Sequence, residues 1–203
     1  MVSKKTKDMT VGSPLKLILL FSVPLLIGNV FQQFYSMVDT IIVGQYLGNN
    51  ALAAVGSTGP INFLVLGFAN GITSGFAVQV AQRFGAGDEK NMRKAVASAS
   101  VLIVIFTVLL TLLSTLLTGW LLTVTNTPKE IYDDAYTYIF TIFAGMATIM
   151  FYNILACFLR AVGDSKTPLY FLILSSVLNI GLDLFFIITC KTGVFGAAIA
   201  TVI

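Results

Sequence analysis

The 203-residue chain is 57% hydrophobic and 10% charged, with no histidine and a net charge of +3. Ordinary soluble domains carry roughly a quarter charged residues, and a mean hydropathy of +0.91 excludes that class. The sequence reads as an all-α, polytopic transmembrane bundle.

A bilayer core about 30 Å thick needs roughly 20 apolar residues per helix. The first such stretch runs from about Leu15 to Val43 and ends at the polar turn GQYLGNN. Its basic, then apolar start resembles a signal peptide, but the run exceeds the usual core of about 7–15 residues, so it is read as retained. Pro24 lies inside it and removes one backbone hydrogen bond, which favours a bend. The second stretch, about Ala51 to Gln82, is interrupted by Gly56, Gly59-Pro60, Gly67 and Gly71. Gly71 and Gly75 have the small-xxx-small spacing that lets helices approach closely. The third, about Ala95 to Gly119, sits in the charge-free gap between Lys94 and Lys129, and Trp120 at its end reads as an interfacial anchor. The fourth, about Ala135 to Leu159, closes at Arg160, and the fifth runs from about Thr167 to Cys190. A sixth starts near Phe195 with nine residues left before Ile203. Nine residues rise only about 13 Å, so the reading is five complete helices plus a truncated sixth, and a chain that is a fragment.

Charge placement sets the expected orientation. With a cytoplasmic N-terminus, ten of the twelve basic residues (Lys4, Lys5, Lys7, Lys16, Arg83, Lys90, Arg93, Lys94, Arg160 and Lys166) fall inside, and only Lys129 and Lys191 fall outside. That asymmetry follows the positive-inside rule. The positive charge is thus a topology signal, which displaces a nucleic-acid partner. RFGAGDEK from Arg83 and RAVGDSK from Arg160 read as two cytoplasmic turns of similar design. Cys157 and Cys190 would lie near opposite membrane faces, so both are read as free thiols.

Seven of the nine acidic residues sit in the tail, turns or helix starts; Asp39 and Asp183 do not. Both lie on spans of the same direction, roughly 7 to 10 Å from the end, and therefore at similar depth. Asn179 precedes Asp183 by four residues and shares its face. Neither span holds a basic partner in its interior. Intramembrane acids usually face a bundle interior and mark ion or substrate pathways. Together the three side chains suit Na⁺, a hard cation taken by oxygen, or a shared proton. Gln32, Gln33, Phe34, Tyr35, Asn62, Asn70, Tyr136, Tyr138 and Asn153 are substrate-chamber candidates by type, since aromatic faces attract organic cations. No catalytic constellation stands out, so no enzyme activity and no cofactor are expected.

PLLIGN from Pro24, YSMVDTIIVG from Tyr35, ALAAVG from Ala51, RAVGDSKTP from Arg160 and LNIGLD from Leu178, in this order and spacing, resemble the multidrug and toxic compound extrusion (MATE) transporters. The resemblance covers Ser13 to Ile203. It implies a twelve-helix protein of two six-helix lobes that exports organic cations or other amphipathic drugs against Na⁺ or H⁺ entry. Residues 1–14 would be a cytoplasmic tail and 15–203 an incomplete N-terminal lobe of a multi-pass plasma-membrane protein, with a missing C-terminal lobe and the lipid bilayer as partners. The resemblance further implies a coupling site of Asp39, Asn179, Asp183 and Thr201, a helix bend at Pro24, and Tyr35, Gln32 and Tyr138 beside that site or the substrate cavity. The alternatives are a flippase for lipid-linked substrates, which needs a basic cavity this half lacks, and a non-transporting fragment or interaction subunit.

Overall fold

A computed structural model describes residues 12–203; most of the expected tail, including Lys4, Lys5, Lys7 and Asp8, lies outside the described residues. Helix α1 spans Pro14–Leu47 and opens with proline, whose missing N–H costs nothing at a helix start. It continues unbroken through Pro24 and stops at Gly48, whose φ of 89° suits glycine. Helices α2 (Asn49–Ser57) and α3 (Gly59–Gly85) form one interrupted span. The interruption is at Thr58, whose N–H and hydroxyl both turn back to the Val55 carbonyl just before Gly59-Pro60. Helix α4 covers Glu89–Val124, and a 3-10 turn at Lys129–Ile131 leads into α5 (Tyr132–Ala144). Helix α6 (Met146–Ala161) follows after Gly145. Helix α7 (Lys166–Leu184) runs into a π-helical turn at Phe185–Thr189, and α8 covers Val194–Val202.

Four of these spans are long and apolar enough to cross a membrane, and α5–α6, bent by 48°, makes a fifth. The fourth expected span, about 135–159, is this bent pair. At Gly145 the ladder shortens, with the Thr148 N–H donating to the Gly145 carbonyl at 3.1 Å. The remaining spans agree with their expected bounds to within six residues, the largest difference being at α4.

The two expected turns share one hydrogen-bond pattern. In the first, Ala86, Gly87 and Asp88 donate to the carbonyls of Gln82, Phe84 and Arg83; in the second, Val162, Gly163 and Asp164 donate to those of Phe158, Arg160 and Leu159. Gly87 and Gly163 sit at φ of 68° and 87°, where a side chain would be strained. Each turn then hands over to an aspartate cap: Asp88 accepts from the Asn91 N–H, and Asp164 from those of Lys166 and Thr167. Asn91 holds the Asp88 carboxyl below its ordinary value by donating from side chain and backbone.

Within the bundle α1 lies chiefly along α7, α3 along α4 and α6, and α5 along α8 and α4. Ile139, Phe143, Met146 and Met150 of the bent span fill the core against Val43, Ala54, Leu122, Ala197 and Ala198. The outward side chains are apolar as well, Phe63 and Leu116 being 83% and 80% exposed. A surface of that kind suits lipid rather than water. Close helix approach does not occur at Gly71 and Gly75, which have open space where a side chain would stand. It occurs at Gly28, beside Leu169 and Leu172, and at Gly145 and Gly196.

Candidate functional site

The long contact between α1 and α7 places Asp39 beside Asp183. Four residues on α7 bring Asn179 to the same face, and all three are buried, at 8%, 0% and 6% exposure for Asp39, Asp183 and Asn179. Charged and amide groups at such depth ordinarily have partners. Here Asp39 Oδ1, both Asp183 oxygens and both polar atoms of Asn179 have none among the described residues. Four oxygen acceptors from three side chains are therefore buried, with Asp39 and Asp183 within hydrogen-bonding reach of each other and no other group among the described residues donating to them.

Two further elements complete the wall. Helix α5 brings Tyr138, whose hydroxyl lies beside that of Thr201 on α8 and near both carboxyl groups. Thr201 itself donates to the Ala197 carbonyl at 3.0 Å, leaving its oxygen lone pairs available. Tyr35, one turn before Asp39, stands near both carboxyl groups and Tyr152. The constellation of Tyr35, Asp39, Tyr138, Asn179, Asp183 and Thr201 thus draws on α1, α5, α7 and α8. No three His, Cys, Asp or Glu side chains cluster among the described residues. Two carboxylates, an amide and a hydroxyl form an all-oxygen set that fits a monovalent hard cation or a proton shared between the acids.

Asn179 and Thr201 also line a cavity of about 270 Å³ that opens between α1, α3, α6, α7 and α8. Gln32, Tyr35, Asn70 and Asn153 stand in its wall, together with Thr148, Tyr152, Ser175 and Ser176. The last four escaped the sequence reading. Ser176, Asn179 and Asp183 are spaced three and four apart on α7, the signature of one helical face, and that spacing was the available signal. Among the described residues, no lysine or arginine lines the cavity.

Other candidates fall elsewhere. Gln33 and Phe34 lie on another face of α1 and line an open groove with Asn29, Ser36 and Thr40. Tyr136 stacks between Tyr132 and Phe140. Asn62 lies outside the cavity, its Oδ1 buried without a partner among the described residues. Pro24 is buried in α1, fifteen residues and roughly 22 Å of helix from Asp39, so it does not touch the carboxyl pair. Cys157 is buried and Cys190 exposed, both free thiols as expected.

Residues 24–185 match the sequence model of the MatE family. The chain is similar to the probable multidrug resistance protein YoeA of Bacillus subtilis, 36% identical over 188 residues that cover 91% of this chain and 41% of YoeA. The probable multidrug resistance protein YpnP of the same organism is 33% identical, with 98% of this chain and 45% of YpnP covered. Among solved structures, the outward-facing conformation of a multidrug resistance MATE family transporter of the MOP superfamily superposes with a TM-score of 0.91 at 31% identity. That match covers 100% of this chain and 44% of the other. The chain spans less than half the length of these relatives.

Proposed function

The chain belongs to the MatE family, and on that premise we propose that it forms the N-terminal six-helix lobe of a multidrug efflux antiporter driven by Na⁺ or H⁺. The observation that carries this reading is the set of unpartnered oxygens on Asp39, Asn179 and Asp183, buried where α1 meets α7. Unpaired buried charge is costly, so the pair favours an arriving cation or proton. Thr201 supplies a fifth oxygen, from a fourth side chain on α8, while Tyr138 and Tyr35 flank the carboxyl groups.

In the proposed cycle Asp39 and Asp183 alternate between a cation-loaded or protonated state and an ionised one. Loading relieves the repulsion between them and lets α1 and α7 close together. Unloading drives α1 away, and Pro24, which lacks an N–H to tie it to the preceding turn, is the point where that helix bends. Because Tyr35 and Gln32 line the cavity beside the site, movement of α1 reshapes the space available to an organic cation. A ligand shifts such an equilibrium only through its differential affinity for the two states.

The charge pattern supports a cytoplasmic N-terminus. The groove of Asn29, Gln33, Ser36 and Thr40 on α1 offers polar side chains to a second lobe or to the passage between lobes. A cavity without lysine or arginine favours cationic or neutral cargo over a lipid-linked pyrophosphate. The test is efflux of a fluorescent organic cation from cells expressing the complete reading frame that contains these residues, under an imposed Na⁺ or H⁺ gradient. Asp183→Asn is expected to abolish coupled efflux while leaving membrane insertion intact; undiminished efflux would sink the reading.

A further inference from the structure

Helix α8 reaches the cation site, and of the residues it buries, Val194, Gly196, Ala197, Ala198 and Ala200, all but the first are small. Small side chains let helices approach closely but provide no teeth to fix how far one slides along the other. Each residue of slip moves a side chain about 1.5 Å along the axis and swings it by about 100°. Something else must set the register of α8, because Thr201 stands in the site.

The structure shows where that register is set. At the bend of the α5–α6 span, Gly145 leaves a notch filled by the Val202 side chain. A Cβ added to Gly145 would overlap Cγ1 and Cγ2 of Val202 and stand 2.9 Å from its Cβ. No larger residue fits without displacing α8. The opposite end of α8 is held separately, where Gly196 packs on Thr192 and Phe186. Val202 follows Thr201 directly, so the contact that seats one side chain places the other. Gly145 also interrupts the span whose first half carries Tyr138, and the Tyr138 hydroxyl lies beside Thr201. The bend and the seat of α8 are thus one joint.

We propose that Gly145 is a positioning residue for the cation site: its notch receives Val202 and thereby fixes the Thr201 hydroxyl relative to Asp39, Asn179 and Asp183. The proposal rests on the coupling-site reading above. It assigns a role in cation affinity to a residue that touches neither cation nor drug.

The experiment measures the Na⁺ concentration or proton activity giving half-maximal efflux, in the complete reading frame. Gly145→Ala is expected to raise that requirement about tenfold through overpacking, with a smaller change in maximal rate. Val202→Gly removes the three atoms nearest the new methyl, so Gly145→Ala/Val202→Gly is expected to return most of the affinity. In a Thr201→Ala background, Gly145→Ala is expected to add little, because both changes act through the same hydroxyl. Additive losses, absence of rescue, or a fall in maximal rate at unchanged half-saturation would each overturn the proposal. Should Gly145→Ala not accumulate in the membrane, Val202→Gly alone empties the notch without a clash, and unchanged half-saturation there overturns it equally. If Asp183→Asn still exports, the coupling reading itself fails; if it does not, and Gly145→Ala behaves as wild type, only the joint fails.

Discussion

Helix α4 and the wall formed by α1 and α7 both bury polar side chains within an apolar bundle, yet they treat them in opposite ways. On α4 the hydroxyls of Ser114, Thr115, Thr118 and Thr123 each donate to the carbonyl four residues earlier, at 2.6 to 2.8 Å. These four are satisfied by their own helix and cost little in lipid, whereas the Thr111 hydroxyl on the same helix has no partner among the described residues. At the α1–α7 wall, Asp39, Asn179 and Asp183 carry groups too many and too strong for the local backbone, and their atoms stay unpaired. The contrast separates polarity that a helix satisfies by itself from polarity that its own backbone leaves open.

The strongest way to break the comparison is to remove charge from the open wall. Asp39→Asn is expected to eliminate cation-coupled efflux at normal membrane abundance, measured by the same gradient-driven assay. Next comes Asn179→Leu, which replaces an unpaired buried amide by an apolar side chain of similar size. It is expected to weaken coupling severely and yet to stabilise the folded protein by about 1–3 kcal/mol, read as a higher Tm in detergent without added cation. A lower Tm would show that Asn179 has a structural partner after all. Thr118→Val on α4 is the counterpart: loss of one intrahelical bond should cost about 1 kcal/mol or less and leave the cation requirement for efflux unchanged.

The smallest expected effect lies outside the membrane. Asp88 is held below the ordinary carboxylate value of 3.8 by Asn91, so its contribution to stability is present above that value and lost as pH falls through the depressed one. Hydrogen exchange of the 86–91 turn should be slower in wild type than in Asp88→Ala at neutral pH. The difference should vanish in strong acid.

Most of the spans were legible because length and hydropathy alone constrain a chain in a bilayer. The carboxyl site was legible for a related reason: Asp39 and Asp183 are conspicuous where charge is otherwise absent, and a four-residue step ties Asn179 to Asp183. What the sequence did not disclose depends on tertiary contact. Gly145 looks no different from Gly71 or Gly75 in the chain, yet only the first receives a neighbour's side chain, because only there does α8 arrive. The same holds for Tyr152 and Thr148, whose place in the cavity follows from the bend that Gly145 permits. Gln33 and Phe34 adjoin Gln32 and Tyr35 in sequence, but one step along a helix is about 100° of rotation, and they face another groove.

The π-helical turn at Phe185–Thr189 has a consequence of its own. The Cys190 N–H reaches back five residues to the Phe185 carbonyl, and Thr192 closes the segment through its N–H and hydroxyl on the Phe186 carbonyl, at 3.1 and 2.9 Å. Such a turn is commonly an α-helical turn carrying one surplus residue. Deleting one residue between 187 and 189 would therefore permit an ordinary helix while rotating the end of that helix by about 100°. Asp183 and Phe186 would keep their places and Thr192 would be drawn off the Phe186 carbonyl, so the surplus residue sets how the 190–193 turn leaves α7.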